Sequence, residues 1–274
     1  MNRLRLANEA LIREAKRLLC DQRRAFPAGL VLSAVVSVTS RKPCRVRHRD
    51  GYWEYRWRAG TSFIHDPKVF VTPVDPTGAG EIYFWEYEPR ADDVVVDIGA
   101  GLGAELLALR MRVGPHGRVF GFEAHPATFA RLSQLCEMNR WSNVEAIHAA
   151  VVDQTKPVAI SDSEDYQVNN VFSSGDNTVD GITLDDFVAN QRISHIDYLY
   201  MNIEGAERLA IQGMDRVAQI TDHMCISCHD FLGTEWGRTN EDVRAWLTAK
   251  GFRVLGRPDH PKPPVRFFVY GSKL

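Results

Sequence analysis

The stretch Asp97-Ile98-Gly99-Ala100-Gly101-Leu102-Gly103 sets three glycines behind one carboxylate. Glycine has no Cβ, so a chain with glycine at every second position can bend sharply and bring its backbone against a ligand. The bend follows the apolar run Val94-Val95-Val96, and so lies at the carboxyl end of an expected strand. Doubly wound sheets hold their cofactors there. The G-x-G-x-G spacing departs from the G-x-G-x-x-G of dinucleotide sites, which argues against a nicotinamide cofactor. Asp97 argues the same way, because a carboxylate there would repel a pyrophosphate. It suits a cationic ligand instead, such as the amino group of S-adenosylmethionine or water held by it. Glu123 stands 20 positions past Gly103, at the end of the next apolar run. An acid at that place can accept hydrogen bonds from both ribose hydroxyls. Ala124 lies beside it, and Ala149 and Ala150, next to His148, leave room for an adenine ring. The expected cofactor set is therefore Asp97, Gly99, Ala100, Gly101, Gly103, Glu123, Ala124, Ala149 and Ala150.

Positioning these residues calls for a parallel sheet. Strand patterns at 94–100, 118–124, 144–153, 196–205 and 223–231 alternate with helix patterns at 103–112, 126–140, 182–191, 205–214 and 241–251. Such alternation means a sheet covered on both faces. A further strand is expected at 158–162 and a long loop at 161–181. Thr183 and Asp186 have capping-box spacing. The closing runs FRVLGR and VRFFVYG are joined by a Pro-rich turn too short for a parallel crossover, so they must pair antiparallel. The expected fold is α/β: a Rossmann-like, doubly wound, mostly parallel sheet ending in an antiparallel hairpin, with an N-terminal helical and irregular extension.

That extension occupies residues 1–80, ahead of a cofactor-binding domain at 81–274. Leu4, Ala7, Leu11, Ala15, Leu18 and Leu19 predict an amphipathic helix over 3–25, punctuated by Pro27 and Gly29. The helix could pack on the body, on a membrane surface, or on a second copy as a homodimer contact. Residues 41–90 read as irregular, with Trp53, Tyr55 and Trp57 alternating as on one strand face. Residues 1–60 hold 14 Lys/Arg against 5 Asp/Glu, within a chain of net charge −2. This basic segment either docks on its own acidic body or faces an anionic partner. Five scattered cysteines argue against a disulfide framework and for a reducing, cytoplasmic setting, with Cys225 and Cys228 as core thiols. The best apolar run, Ala28 to Val38, falls far short of the ~20 residues of a membrane span.

Met201-Asn202-Ile203-Glu204-Gly205-Ala206-Glu207 resembles the end of the fourth strand in FkbM-family methyltransferases, which read K-x-D-x-E-G-x-E there. ITLDDF at 182–187 and Cys228-His229-Asp230-Phe231 resemble the same family, over about residues 80–270 in all. The resemblance implies the class I methyltransferase fold, S-adenosylmethionine as cofactor, and O-methylation of a sugar, glycolipid or natural-product hydroxyl. The chain departs from the family pattern at Tyr200, in place of Lys, and at Asn202, in place of Asp. Methyl transfer to an alcohol needs positioning and a group to take its proton. The candidates are His229, Glu204, Asn202 and Asp230. His229 is the preferred base because imidazole titrates near neutrality. Carboxylate and amide oxygens here would also suit magnesium. The acceptor pocket is expected from the 161–181 loop and residues 232–240, where Trp236 either stacks on a sugar or pins its loop. Two rivals are a nucleic-acid methyltransferase, prompted by the basic N-terminus, and a non-catalytic cofactor-binding protein. No N-P-P-Y motif or RNA-binding signature is present, so the acceptor is expected to be a small molecule or saccharide rather than nucleic acid.

Overall fold

The structure is a computed structural model that describes residues 22–161 and 177–273, with side chains from residue 27. Helix α1 (Gln22–Thr39) opens the described chain. It runs through Pro27 and Gly29, where the sequence suggested a stop. Tertiary packing overrides both residues. Ala28, Leu32 and Val36 are buried in one apolar cluster with Val46, Trp53, Tyr55 and Trp57. Gly29 is an approach point, since a Cβ there would lie 2.8 Å from the Val46 carbonyl oxygen. Most of the helix expected over 3–25, and the dimer contact assigned to it, lie outside the described residues.

The stretch expected to be irregular contains an antiparallel meander of β1 (Cys44–Arg49), β2 (Tyr52–Trp57) and β3 (Gly60–Ile64). Asp50 and Gly51, both at positive φ, form the first turn, as two-residue hairpins require. The outer edge of β1 is covered by α1. The amide of Val46 donates to Ser33 Oγ at 2.8 Å and that of Cys44 to Ser37 Oγ at 2.9 Å. The meander is docked on the rest of the chain. Asn139 pairs with both the amide and the carbonyl of Thr61, and Tyr52 and Phe63 share a buried cluster with Leu102 and Leu135.

The main sheet has seven strands, with the spatial order β12-β13-β11-β10-β4-β5-β6. They are β4 (Val94–Ile98), β5 (Arg118–Glu123), β6 (Val144–His148), β10 (Ile196–Met201), β11 (Thr221–Ser227), β12 (Arg253–Gly256) and β13 (Phe268–Ser272). Only β13 runs against the others, which is the expected mostly parallel sheet with a terminal hairpin. Side chains alternate across the faces. Val96, Ile98, Phe120, Phe122, Leu199 and Met201 pack on one side, and Val95, Tyr198, Tyr200 and Tyr270 on the other. Burying such a set stabilises the fold by roughly 1.5–3 kcal/mol per large side chain.

The strand expected over 144–153 breaks at Ala149. Its second part, β7 (Ala150–Val151), joins a small separate sheet with β8 (Lys156–Ile160) and β9 (Asn177–Ile182). Most of the expected 161–181 loop lies outside the described residues, and its end is β9. Thr183 caps the following helix, Leu184–Asn190, by accepting the Asp186 amide at 3.0 Å. Cys225 and Cys228 are buried free thiols.

Candidate active site

A cavity of about 330 Å³ opens at the carboxyl ends of β4, β5 and β10. That volume is within the range of small-molecule sites. Gly99, Ala100, Gly101, Glu123, Ala124, Ala149 and Ala150 line it, which brings together seven of the nine expected cofactor residues. The Gly101 amide donates to Glu123 Oε2 at 2.9 Å and the His125 amide to Oε1 at 2.8 Å. This pins the acid at the rim of the glycine bend. Burial raises the Glu123 pKa, and the two amides act against that rise. His148 is turned away, its ring stacked on Phe129.

Gly99, which lines the cavity, and Gly103, which does not, are both also required by the fold. Both have positive φ. A Cβ on Gly99 would lie 2.0 Å from the Asn202 carbonyl oxygen, and one on Gly103 would strike Leu135 and Leu132. Asp97 lies beneath the bend and outside the lining. It is 1 % exposed, and neither carboxylate oxygen has a hydrogen-bond partner among the described residues. Burial first, then the charges of Glu105 and Glu123, hold its pKa well above the usual carboxylate range. An unsatisfied acid under the bend, an acid pinned at its rim and a wall of alanines together fit S-adenosylmethionine, whose cationic groups would offset the strain on Asp97.

The acceptor end is built on the loop after β10. Asn202 and Glu204 line the cavity. Glu204 has φ +53 and Gly205 φ +98, so the chain reverses between them. Trp236 pins this reversal: a Cβ on Gly205 would fall 2.5 Å from its ring, and Trp236 is not among the cavity residues. Glu207, fully buried, closes the loop. Its Oε1 accepts the amides of Ile203 and Gly205, both at 3.3 Å, and its Oε2 accepts the Thr239 hydroxyl at 3.0 Å.

His229 and Asp230 are both engaged with protein groups. His229 is 2 % exposed and outside the cavity lining. Its Nδ1 bonds Glu207 Oε1 at 2.9 Å, and its Nε2 faces Glu204 Oε2 at 3.4 Å. Burial disfavours the charged ring, but Glu204 and Glu207 outweigh it and push the pKa up to about 10. The ring is therefore an imidazolium at neutral pH and has no free nitrogen to take a proton. Both ring nitrogens are turned to carboxylates, Glu207 on one side and Glu204 on the other. Asp230 Oδ2 accepts the amides of Thr239 and Asn240 at 3.2 and 3.0 Å, which starts the helix Asn240–Ala249. With Asp230 committed there, Glu204 is left as the single charged ligand of the expected set for magnesium. The three-residue group with metal-ligand spacing among the described residues is His195, Asp197 and Asp222, also outside the cavity lining.

Several site residues escaped the sequence reading. Glu207 was visible only as the last letter of E-G-x-E. Glu105, just past the glycine bend, lines the cavity with its pKa raised by burial to about 7, against a hydrogen bond from Tyr83. Tyr83, Thr77, His65, Asp66 and Lys68 also line the cavity, although all but Tyr83 precede residue 80. The Lys-to-Tyr departure at Tyr200 falls in a buried aromatic contact with Tyr83 rather than in the cavity.

Residues 97–254 match the methyltransferase FkbM domain. Among solved structures, methyltransferase FkbM from Methylobacillus flagellatus KT is 17% identical with a TM-score of 0.51, over 70% of this chain and 47% of that one. This chain thus spans about half the length of that protein, and at such identity the likeness shows the fold alone. An S-adenosylmethionine-dependent methyltransferase from Aquifex aeolicus is 14% identical with a TM-score of 0.43, over 72% and 92% of the two chains. Aeropyrum pernix fibrillarin, with natively bound S-adenosylmethionine, is 14% identical with a TM-score of 0.45, over 82% and 96%. Among curated proteins none matches this sequence.

Proposed function

From the premise that this chain belongs to the methyltransferase FkbM domain family, we propose that it is an S-adenosylmethionine-dependent O-methyltransferase acting on a hydroxyl of a saccharide, glycolipid or related small molecule. The observation that carries the reading is Glu204. Its carboxylate enters the same cavity as Gly101 and Glu123, on a backbone held in the left-handed region by Glu207 and His229.

When bound, S-adenosylmethionine supplies a methyl already activated on a sulfonium. Glu123, pinned at the rim of the glycine bend, would hold the ribose hydroxyls, and the buried Asp97 beneath the bend would favour a cationic ligand. Glu204 accepts the hydrogen bond of the acceptor hydroxyl and receives its proton as the oxygen becomes nucleophilic. Asn202 orients the acceptor beside it. The His229 imidazolium keeps Glu204 in one rotamer, as catalysis by positioning requires. A second proton acceptor is favoured by one observation: Glu105 lines the same cavity with a pKa near 7, matched to work at neutral pH.

Labelled S-adenosylmethionine incubated with mono-, oligosaccharide and glycolipid acceptors should give a mass gain of one methyl, with or without a chelator. Glu204→Gln should lower kcat by about a hundredfold or more while leaving cofactor affinity unchanged. A wild-type rate in Glu204→Gln together with a lost rate in Glu105→Gln would move the proton to Glu105. Wild-type rates in both would refute the reading.

A further inference from the structure

Helix α1 carries no charged residue from Ala25 to Ser40. Its inner face packs on the meander, yet its outer face is apolar too. Leu30 is 60 % exposed, Val31 63 % and Val38 77 %. A surface helix of a water-facing module would carry charges there. The patch continues past the helix. Thr39 Oγ1 donates to the Val69 carbonyl at 2.6 Å, which sets the helix end against the loop where Phe70 is 81 % exposed.

The same module is basic. Arg41 and Lys42 follow the helix directly, and Arg45, Arg47 and Arg49 project from the exposed side of β1, the strand whose edge the helix covers. Between residues 22 and 70 there are ten Lys/Arg against three Asp/Glu. Of these acids, Glu54 is buried against Arg56, and Asp50 pairs with Arg131. Exposed apolar side chains on a module with a surplus of arginine match a membrane interface, where the former enter the acyl boundary and the latter meet anionic headgroups. A second copy fits less well, because a two-fold contact would bring together two modules that each carry a surplus of positive charge. No described helix is long and apolar enough to cross a membrane, so the contact is with the surface.

We propose that the N-terminal module, through α1 and residues 69–70, docks on an anionic lipid bilayer. The docking loop follows His65, Asp66 and Lys68, which line the cavity, so the module joins the lipid surface to the site. A corollary, which rests on the hydroxyl-methylation reading, is that the acceptor hydroxyl is borne on a lipid. Docking itself does not rest on that reading and is measured without cofactor or acceptor.

The test is flotation of the full chain with vesicles of phosphatidylcholine alone or mixed with phosphatidylglycerol. The wild type should float with the mixed vesicles and at least about tenfold less with the neutral ones. Val38→Asp/Phe70→Asp should weaken binding by about tenfold or more, with circular dichroism and S-adenosylmethionine affinity unchanged because both side chains are exposed. Arg45→Glu/Arg47→Glu should weaken it as well. The proposal fails if the wild type ignores anionic vesicles, or if the Asp variant binds them as the wild type does. It also fails if Val38→Asp dissolves a dimer that never floats, or if the basic residues bind RNA with no vesicle binding.

Discussion

Two glutamates close the two ends of the site in the same way, and with opposite results. Glu123 accepts the amides of Gly101 and His125; Glu207 accepts those of Ile203 and Gly205. Each acid ties a strand-end loop to itself. Glu123 still faces the cavity, so its remaining acceptor capacity is open to a ligand. Glu207 has none to offer, because His229 and Thr239 take the rest and water cannot reach it. The same residue type with the same backbone task lines a cavity in one loop and is sealed into the scaffold in the other. What differs is the neighbour: open space for Glu123, a buried cation for Glu207.

The comparison is most exposed at Glu207. Glu207→Ala would strand a buried imidazolium between one remaining carboxylate and three unpaired donors, which should cost about 3–5 kcal/mol in urea unfolding. Loss below about 1 kcal/mol would mean that Glu207 is no scaffold.

The clamp should also show in pH dependence. The His229 pKa is raised from 6.5 to about 10, so its stabilisation is complete below 6.5 and drains away as pH rises through 10. Between pH 7 and 9 the wild type should lose about 2–3 kcal/mol relative to His229→Gln. Parallel stability curves for the two proteins would contradict the clamp.

The smallest effect belongs to the open acid. Glu123→Gln should weaken S-adenosylmethionine by about tenfold, near 1.5 kcal/mol, in calorimetric titration. Stability should move less than in Glu207→Ala. A larger stability loss in Glu123→Gln than in Glu207→Ala would invert the comparison.

Much of this architecture is legible in the sequence because it is local. The glycine bend, the alternating strands, the final hairpin and the Thr183 cap each follow from residues close in the chain. The N-terminal meander was legible in part: Asp50-Gly51 is a strong hairpin signal, overlooked beside the aromatics that flank it. Helix α1 was harder, because Pro27 and Gly29 act as stops unless a sheet edge pays for continuing. His229 is legible only in part. Its residue type suggests titration near neutrality, but its proton affinity is set by Glu204 and Glu207, 25 and 22 positions away in sequence. The cavity wall at His65 to Lys68 could not be read at all, since it is the docking of the meander, through Thr61 on Asn139 and Tyr52 and Phe63 on Leu102 and Leu135, that brings it there.

Ser33 and Ser37 give α1 one more consequence. By filling the outward amides of Val46 and Cys44, they make a helix stand in for a neighbouring strand. A three-stranded ribbon with a bare margin invites recruitment into a growing stack of foreign chains. Here that margin is sealed from within, so the module can show greasy residues to its surroundings without also offering them a template to zip onto.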